Sequence, residues 1–293
     1  MQKDNIRAAI LVVIATTAIT TNDAIFKHIS QVFNVGQVMA LRGLLICVIF
    51  AVWLSIKKQP VFSRQALNRW NLTRAFLELL ATLAFLTGLT LLPIATTITL
   101  SFVSPIILAI LASFILGEQV SLTRWAVIAC GFSGVILITD PFGANMEWAV
   151  VLPLICAFLV ALRDLAIRKI PSQIPSLQLA FTNAWVVMLG GVALSLFQEW
   201  HLPEYSWYLW FLALAVALCT GYLCYIIGSR IGELSFIAPF KYVSIALAIL
   251  YGYLIWGDIP SLNMIGGAII IFLSGIYLIR HERKLIKTLS SSD

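Results

Sequence analysis

One stretch of this chain occurs twice. Gly117-Glu118-Gln119-Val120-Ser121-Leu122 returns 140 residues later as Gly257-Asp258-Ile259-Pro260-Ser261-Leu262. Asp23, Lys27 and Gln37 return 141 residues later as Asp164, Arg168 and Gln178. The apolar runs around these markers group into five per copy. Five crossings of a membrane bring the chain out on the opposite side, so the second copy must enter upside down. The chain is thereby restricted to two similar halves of opposite orientation that meet at a shared interface, where carriers place their substrate site.

The bilayer enters through composition. With 61% hydrophobic and 11% charged residues and a mean hydropathy of +0.98, the chain lacks the polar surface of a water-soluble domain. Its 293 residues accommodate about ten spans of roughly 20 residues. The expected spans are 6–28, 35–56, 72–91, 94–116, 122–138, 147–167, 176–196, 207–230, 235–256 and 261–279, punctuated by Pro93, Gly117, Pro141, Pro171, Pro203 and Gly257. The expected fold is all-α and polytopic, with ten transmembrane helices forming two inverted-topology five-helix repeats (1–141 and 142–282) around a central cavity, then a cytoplasmic tail, 283–293.

Fifteen of the 19 Lys and Arg residues fall on the side shared by the N-terminus and the even-to-odd loops, among them Lys57, Lys58, Arg64, Arg74, Arg124 and Lys169. The other four, Lys27, Arg42, Arg163 and Lys241, lie within spans. The positive-inside rule then makes both termini cytoplasmic, with the inner (plasma) membrane as location. Trp148, Trp200, Trp207, Trp210 and Trp256 fall at the opposite interface, where amphipathic indoles belong. This topology accounts for the net charge of +6 without nucleic acid as a partner; a small-molecule substrate and the lipid bilayer are the partners implied, and no soluble partner is.

Leu92-Pro93-Ile94-Ala95 leading into Phe102-Val103-Ser104-Pro105, then Gly117-Glu118 and Gly131-Phe132-Ser133-Gly134-Val135, resemble the EamA-type drug/metabolite transporters over about residues 8 to 280. The resemblance implies a ten-helix basket with a central cavity and alternating access, moving amino acids, other metabolites or cofactors. The second half departs from the motif, since Pro105 is matched by Ile245 and the nearby proline is Pro239, which makes different hinges an expectation for the two halves.

Charges inside a bilayer need a partner, water or a purpose. Lys241, two residues beyond Pro239 and flanked by Phe240 and Tyr242, is a candidate for binding a substrate carboxylate; the competing reading is a fixed bridge to Glu78. Glu78, with Thr82 and Phe85 at helical spacing, offers a carboxylate, a hydroxyl and an aromatic ring on one face, and either binds a substrate amine or neutralises Lys241 or Arg163. The candidate binding set is therefore Lys241, Glu78, Tyr242, Phe85, Thr82 and Arg163. Asp23 and Lys27 read as a local i,i+4 pair matched by Asp164 and Arg168, a gate or anchor, with Asp23 also the obvious counter-ion for Arg42.

Absent motifs narrow the classes further. No phosphate-binding glycine loop, zinc spacing or matched nucleophile occurs, so no cofactor, metal or catalytic residue is expected and an intramembrane enzyme is disfavoured, as is a non-transporting scaffold. The five cysteines all fall in apolar segments. The functional expectation is a secondary carrier that exports amino acids, aromatic ones included. The alternative is an uptake carrier for a cofactor-like metabolite such as S-adenosylmethionine.

Overall fold

The computed structural model describes residues 5–116, 122–139, 147–167, 169–171, 173–231 and 238–289, and all regular structure among them is helical. The first-half helices are α1 (Asn5–Ile29), α2 (Val35–Ile56), α3 (Arg69–Leu91), α4 (Ile94–Ser101), α5 (Ser104–Leu116) and α6 (Leu122–Thr139). The second half holds a 3-10 turn (Trp148–Val150) leading into α7 (Val151–Ile167), then α8 (Ser176–Ser195) and α9 (Tyr205–Ile231). A 3-10 turn (Ala238–Tyr242), α10 (Val243–Tyr251), a π-turn (Gly252–Trp256) and α11 (Leu262–Leu289) complete it. Among the described residues, six helices are long and apolar enough to cross a membrane, and four shorter apolar helices accompany them. The architecture is that of a polytopic all-α membrane protein. The repeat's Glu118 and the tail Ser290–Asp293 lie outside the described residues.

Local chemistry sets the joints. The Asn68 side chain accepts from the Trp70 and Asn71 amides, so α3 begins at Arg69, three residues before the apolar run at Leu72. Leu92, extended as a residue before proline must be, separates α3 from α4 with Pro93 in a two-residue corner. At Gly257 φ is +70°, a left-handed cap that glycine takes without strain.

The span expected over 94–116 is broken after Ser101, and that over 235–256 passes from a 3-10 turn into α10 at Val243. Both helices therefore bend at one register, because Phe102 and Tyr242 are repeat-equivalent, although the prolines stand on opposite sides of the bend. Pro105 occupies the first turn of α5, where its missing N–H is tolerated. Pro239 lies in the 3-10 turn before α10. The rings of Phe102 and Tyr242 stack on each other with centroids 4.8 Å apart.

Contacts establish the relative directions of the helices. Along α2 and α8 they pair Gln37 with His201, Ala40 with Gly191 and Gly43 with Met188, rising in one helix as they fall in the other. The same antiparallel order holds for α1 with α9 (Asn22 to Leu214, Ile19 to Gly221, Ala8 to Gly228), for α3 with α7 (Gly88 to Pro153, Glu78 to Arg163) and for α6 with α11 (Gly131 to Ser274, Leu137 to Gly266). By contrast α3 and α8 run parallel, through Arg74 with Asn183 and Leu79 with Gly190. So do α1 and the segment 238–256, through Thr21 with Tyr251 and Lys27 with Trp256.

These pairings also map onto one another when the halves are exchanged. The α1–α9 contact becomes α3–α7, α2–α9 becomes α3–α8, and α2–α8, α4–α10 and α6–α11 map onto themselves. Gln37 and Gln178 make the exchange visible in hydrogen bonds. Gln37 Nε2 donates to the His201 carbonyl and its Oε1 accepts from the His201 amide, while Gln178 Nε2 donates to the carbonyl of Pro60, the repeat-equivalent of His201.

The core follows from this arrangement. The largest buried apolar cluster includes Phe26, Met39, Leu89, Ile94, Leu214, Tyr242 and Ala268, drawn from both halves. Large apolar side chains such as Ile6, Phe114 and Leu212 cover the outside, where lipid is the solvent.

Candidate functional site

Helix α3 carries Arg74, Glu78, Thr82 and Phe85 at helical spacing, against α7 on one side and α8 on the other. Arg163 on α7 joins the carboxylates there: Nη1 donates to Glu78 Oε2 at 2.6 Å, and Nε and Nη2 donate to Asp164 Oδ1 at 3.0 and 2.8 Å. The bridging side chains of Glu78 and Arg163 are 15% and 23% exposed, so the pair sits inside the bundle. Arg74 Nη1 donates to Asn183 Oδ1 on α8 at 3.0 Å. The Tyr222 phenol of α9 lies within electrostatic reach of Glu78, Arg163, Arg74 and Arg42. Five helices thus converge on one polar cluster.

Arg42 forms its other edge. Its Nη1 donates to Asn22 Oδ1 at 3.5 Å, its guanidinium stands 5.8 Å over the Phe26 ring, and Asn22 in turn donates to the Leu214 carbonyl at 2.7 Å. Asp23 and Arg42 are both buried and interact through their charges, yet no ion pair within 4.0 Å joins them.

Several expectations are corrected. Glu78 is bridged to Arg163, and no ion pair links it to Lys241. The Lys241 ammonium instead lies 4.4 Å over the Tyr225 ring. The Asp23–Lys27 pair does not form either. Lys27 reaches away, its Nζ donating to the Leu92 carbonyl at the α3–α4 corner and standing 5.2 Å over the Trp256 ring, within electrostatic reach of Asp258. Asp164 takes the neighbouring Arg163 as its partner, and Arg168 lies outside the described residues. Tyr242 is buried between Phe102 and Phe272, with its hydroxyl unpartnered. Phe85 packs between two apolar clusters.

Arg74, Asn183 and Tyr222 were not anticipated. The sequence counts Arg74 with the cytoplasmic-side basic residues because it stands in the first turn of the span expected from Leu72. Its four-residue spacing to Glu78 was the available signal that both share one face. Nothing in the local sequence marks Tyr222, which is one of eight tyrosines.

Two clefts lie away from the cluster. One of about 400 Å³ is apolar and runs along α1 beside Phe240. The other, of about 600 Å³, lies between the loops that follow α2 and α7 and includes Lys58, Arg64 and Gln178. Among the described residues, no group of three or more His, Cys, Asp or Glu side chains could hold a metal ion.

Comparison with known proteins places this geometry. A riboflavin transporter of Rhizobium johnstonii is 27% identical over 224 residues, 73% of this chain and 71% of the relative. An S-adenosylmethionine uptake transporter of Rickettsia prowazekii is 26% identical over 198 residues, 67% of each. A pseudopaline exporter of Pseudomonas aeruginosa is 21% identical over 278 residues, covering 94% of this chain and 96% of the relative. A solved crystal structure superposes with a TM-score of 0.59 over 96% of both chains at 17% identity, a likeness of fold. The model of the EamA-like transporter family matches twice, at residues 6–140 and 147–280, and the chain belongs to that family of membrane transporters.

Proposed function

We propose that the protein is a ten-span secondary carrier with halves 1–141 and 142–282 inverted in the membrane and both termini cytoplasmic, taking up a small, polar, cofactor-like metabolite by alternating access. The inversion is supported by the helix directions, since each repeat-equivalent pair (α2 and α8, α6 and α11) runs antiparallel. A corner as short as Leu92-Pro93 suits a reversal of direction, and ten alternating crossings fit the set of parallel and antiparallel contacts. A basic face at the loops around Lys57, Lys58 and Lys169 supports the cytoplasmic assignment.

The observation that carries the substrate reading is the mixed-sign cluster of Arg42, Arg74, Glu78, Arg163, Asp164 and Tyr222 where five helices meet. Both signs inside a bilayer suit a substrate that itself bears both, and the S-adenosylmethionine relatives handle such a molecule. In this reading Glu78 and Arg163 touch substrate, with Thr82 and Phe85 on the same face and Lys241 and Tyr242 completing the pocket as it opens. Lys27, Asp23 and Arg42 close one side of the membrane; Asp164 and Arg168 close the other.

A second reading, amino-acid export, draws on the relative named as a pseudopaline exporter, and the same charges suit an amino acid. Counterflow in proteoliposomes separates the two. Labelled S-adenosylmethionine, riboflavin and the amino acids are offered singly against preloaded unlabelled compound. Exchange of a cofactor-like compound supports uptake of that class. Exchange of amino acids alone replaces it with the second reading.

A further inference from the structure

Arg74 stands apart from the other charges of the cluster. Its Nη1 is held by Asn183 at 3.0 Å, but its Nε–H is shut off from solvent and has no acceptor. The natural partner is Glu78, one turn further along α3, and the Glu78 carboxylate is turned to Arg163 at 2.6 Å. Asp164 is bound to the same Arg163. No carboxylate therefore lies within 4.0 Å of Arg74, although Glu78, Asp164, Arg163 and Tyr222 all act on it electrostatically.

A guanidinium inside a bundle with a buried, unused donor lacks an acceptor that the protein does not supply. Its Nε edge is one of the two edges that take a carboxylate or phosphate in bidentate fashion. Asn183 fixes the guanidinium from the Nη1 side and leaves that edge free. Arg163 is shared between Glu78 and Asp164, so Glu78 is only partly neutralised by it and is left able to face a cationic group on the same ligand.

Resting on the carrier reading above, we infer that Arg74 is the anion-binding residue of the substrate site and that the transported molecule bears a carboxylate, positioned by the Arg74 Nε edge while its cationic group faces Glu78. The substrate class is thus a zwitterionic metabolite with an α-amino-acid head. Riboflavin, which has no carboxylate, is outside it.

The test uses purified full-length protein in detergent and matched probes: S-adenosylmethionine against decarboxylated S-adenosylmethionine, the amino acids against their amides, and riboflavin. Thermal unfolding and the concentration for half-maximal stabilisation are read for the native protein, Arg74→Gln and Arg74→Lys, each first checked as monodisperse. The expected result is stabilisation by at least one carboxylate probe and none by its partner without the carboxylate. Arg74→Gln should weaken that effect on the order of ten- to a hundred-fold, with Arg74→Lys between. Equal stabilisation by both members of each pair, stabilisation by riboflavin alone, no stabilisation by any probe, or an effect unchanged in Arg74→Gln overturns the inference. Flux of the same compounds in proteoliposomes keeps the two readings apart. Transport indifferent to the carboxylate overturns the Arg74 role and leaves a carrier, whereas carboxylate-dependent binding without transport leaves the site and overturns the carrier.

Discussion

Arg163 is the residue on which most of the polar interior depends, because two carboxylates share it. Removing it leaves Asp164 without its cation and Glu78 with only Arg74, one turn away on α3, to turn to. Breaking a fully buried pair costs about 3–5 kcal/mol. With side chains 15–36% exposed, roughly half of that is the reasonable expectation for Arg163→Gln. Glu78→Gln should cost less, since Asp164 still neutralises Arg163. Chemical unfolding of both variants in detergent checks the order, and a Glu78 variant less stable than the Arg163 variant would refute it. Charges this deep were legible in the sequence as charges, and Arg163 was one of the two partners expected for Glu78, but the sequence did not decide between it and Lys241. Lys241 and Glu78 lack equivalents in the other half, which made them look like a pair. Packing decides between the two: α7 brings Arg163 to Glu78 while Lys241 turns to Tyr225.

The two halves are symmetric in their helix contacts but not in every tie between them. Gln37 exchanges two hydrogen bonds with His201. Gln178 reaches the equivalent position, finds a proline with no N–H, and makes one bond of 3.3 Å. The two ties differ by one hydrogen bond, about 0.5–1.5 kcal/mol. Gln37→Ala should therefore destabilise more than Gln178→Ala. Pro60→Ala should strengthen the weaker tie only in the presence of Gln178, a coupling that a double-mutant cycle on thermal stability would reveal. The α6–α11 contact is also close. A Cβ on Gly134 would press on the Gly267 carbonyl, and one on Gly267 would press on the Gly134 carbonyl. Gly134→Leu should abolish a monodisperse species in size-exclusion chromatography, and a normally folded Gly134→Leu protein would mean the helices do not approach in this way. Helix existence was readable from hydropathy because lipid demands long apolar runs. The break after Ser101 had its local signal in Pro105, whereas the stacking of Phe102 there against Tyr242 from the other half is a contact no local pattern contains.

For the molecule as a whole, the sequence repeat agrees with the two family matches at 6–140 and 147–280, and the proposed inversion of the halves rests on an odd number of spans in each. Direction in the membrane is testable separately from substrate. Leu202→Cys, in the exposed loop after α8, should react with an impermeant maleimide added outside intact cells, and Gln65→Cys, in the loop after α2, only after permeabilisation. The reverse pattern would invert the proposed topology. What the sequence left open was where the halves converge. Tyr222 and Arg74 are ordinary residues in their own helices and become a site only when α3, α7, α8 and α9 are assembled.

If a zwitterionic metabolite crosses by alternating access through the cluster around Glu78 and Arg163, labelled S-adenosylmethionine should enter proteoliposomes by trans-stimulated uptake. That uptake should be saturable, accelerated by unlabelled compound inside and lost in a folded Arg163→Gln protein. Uptake equal to that of empty liposomes, or uptake unchanged by Arg163→Gln, would contradict this route.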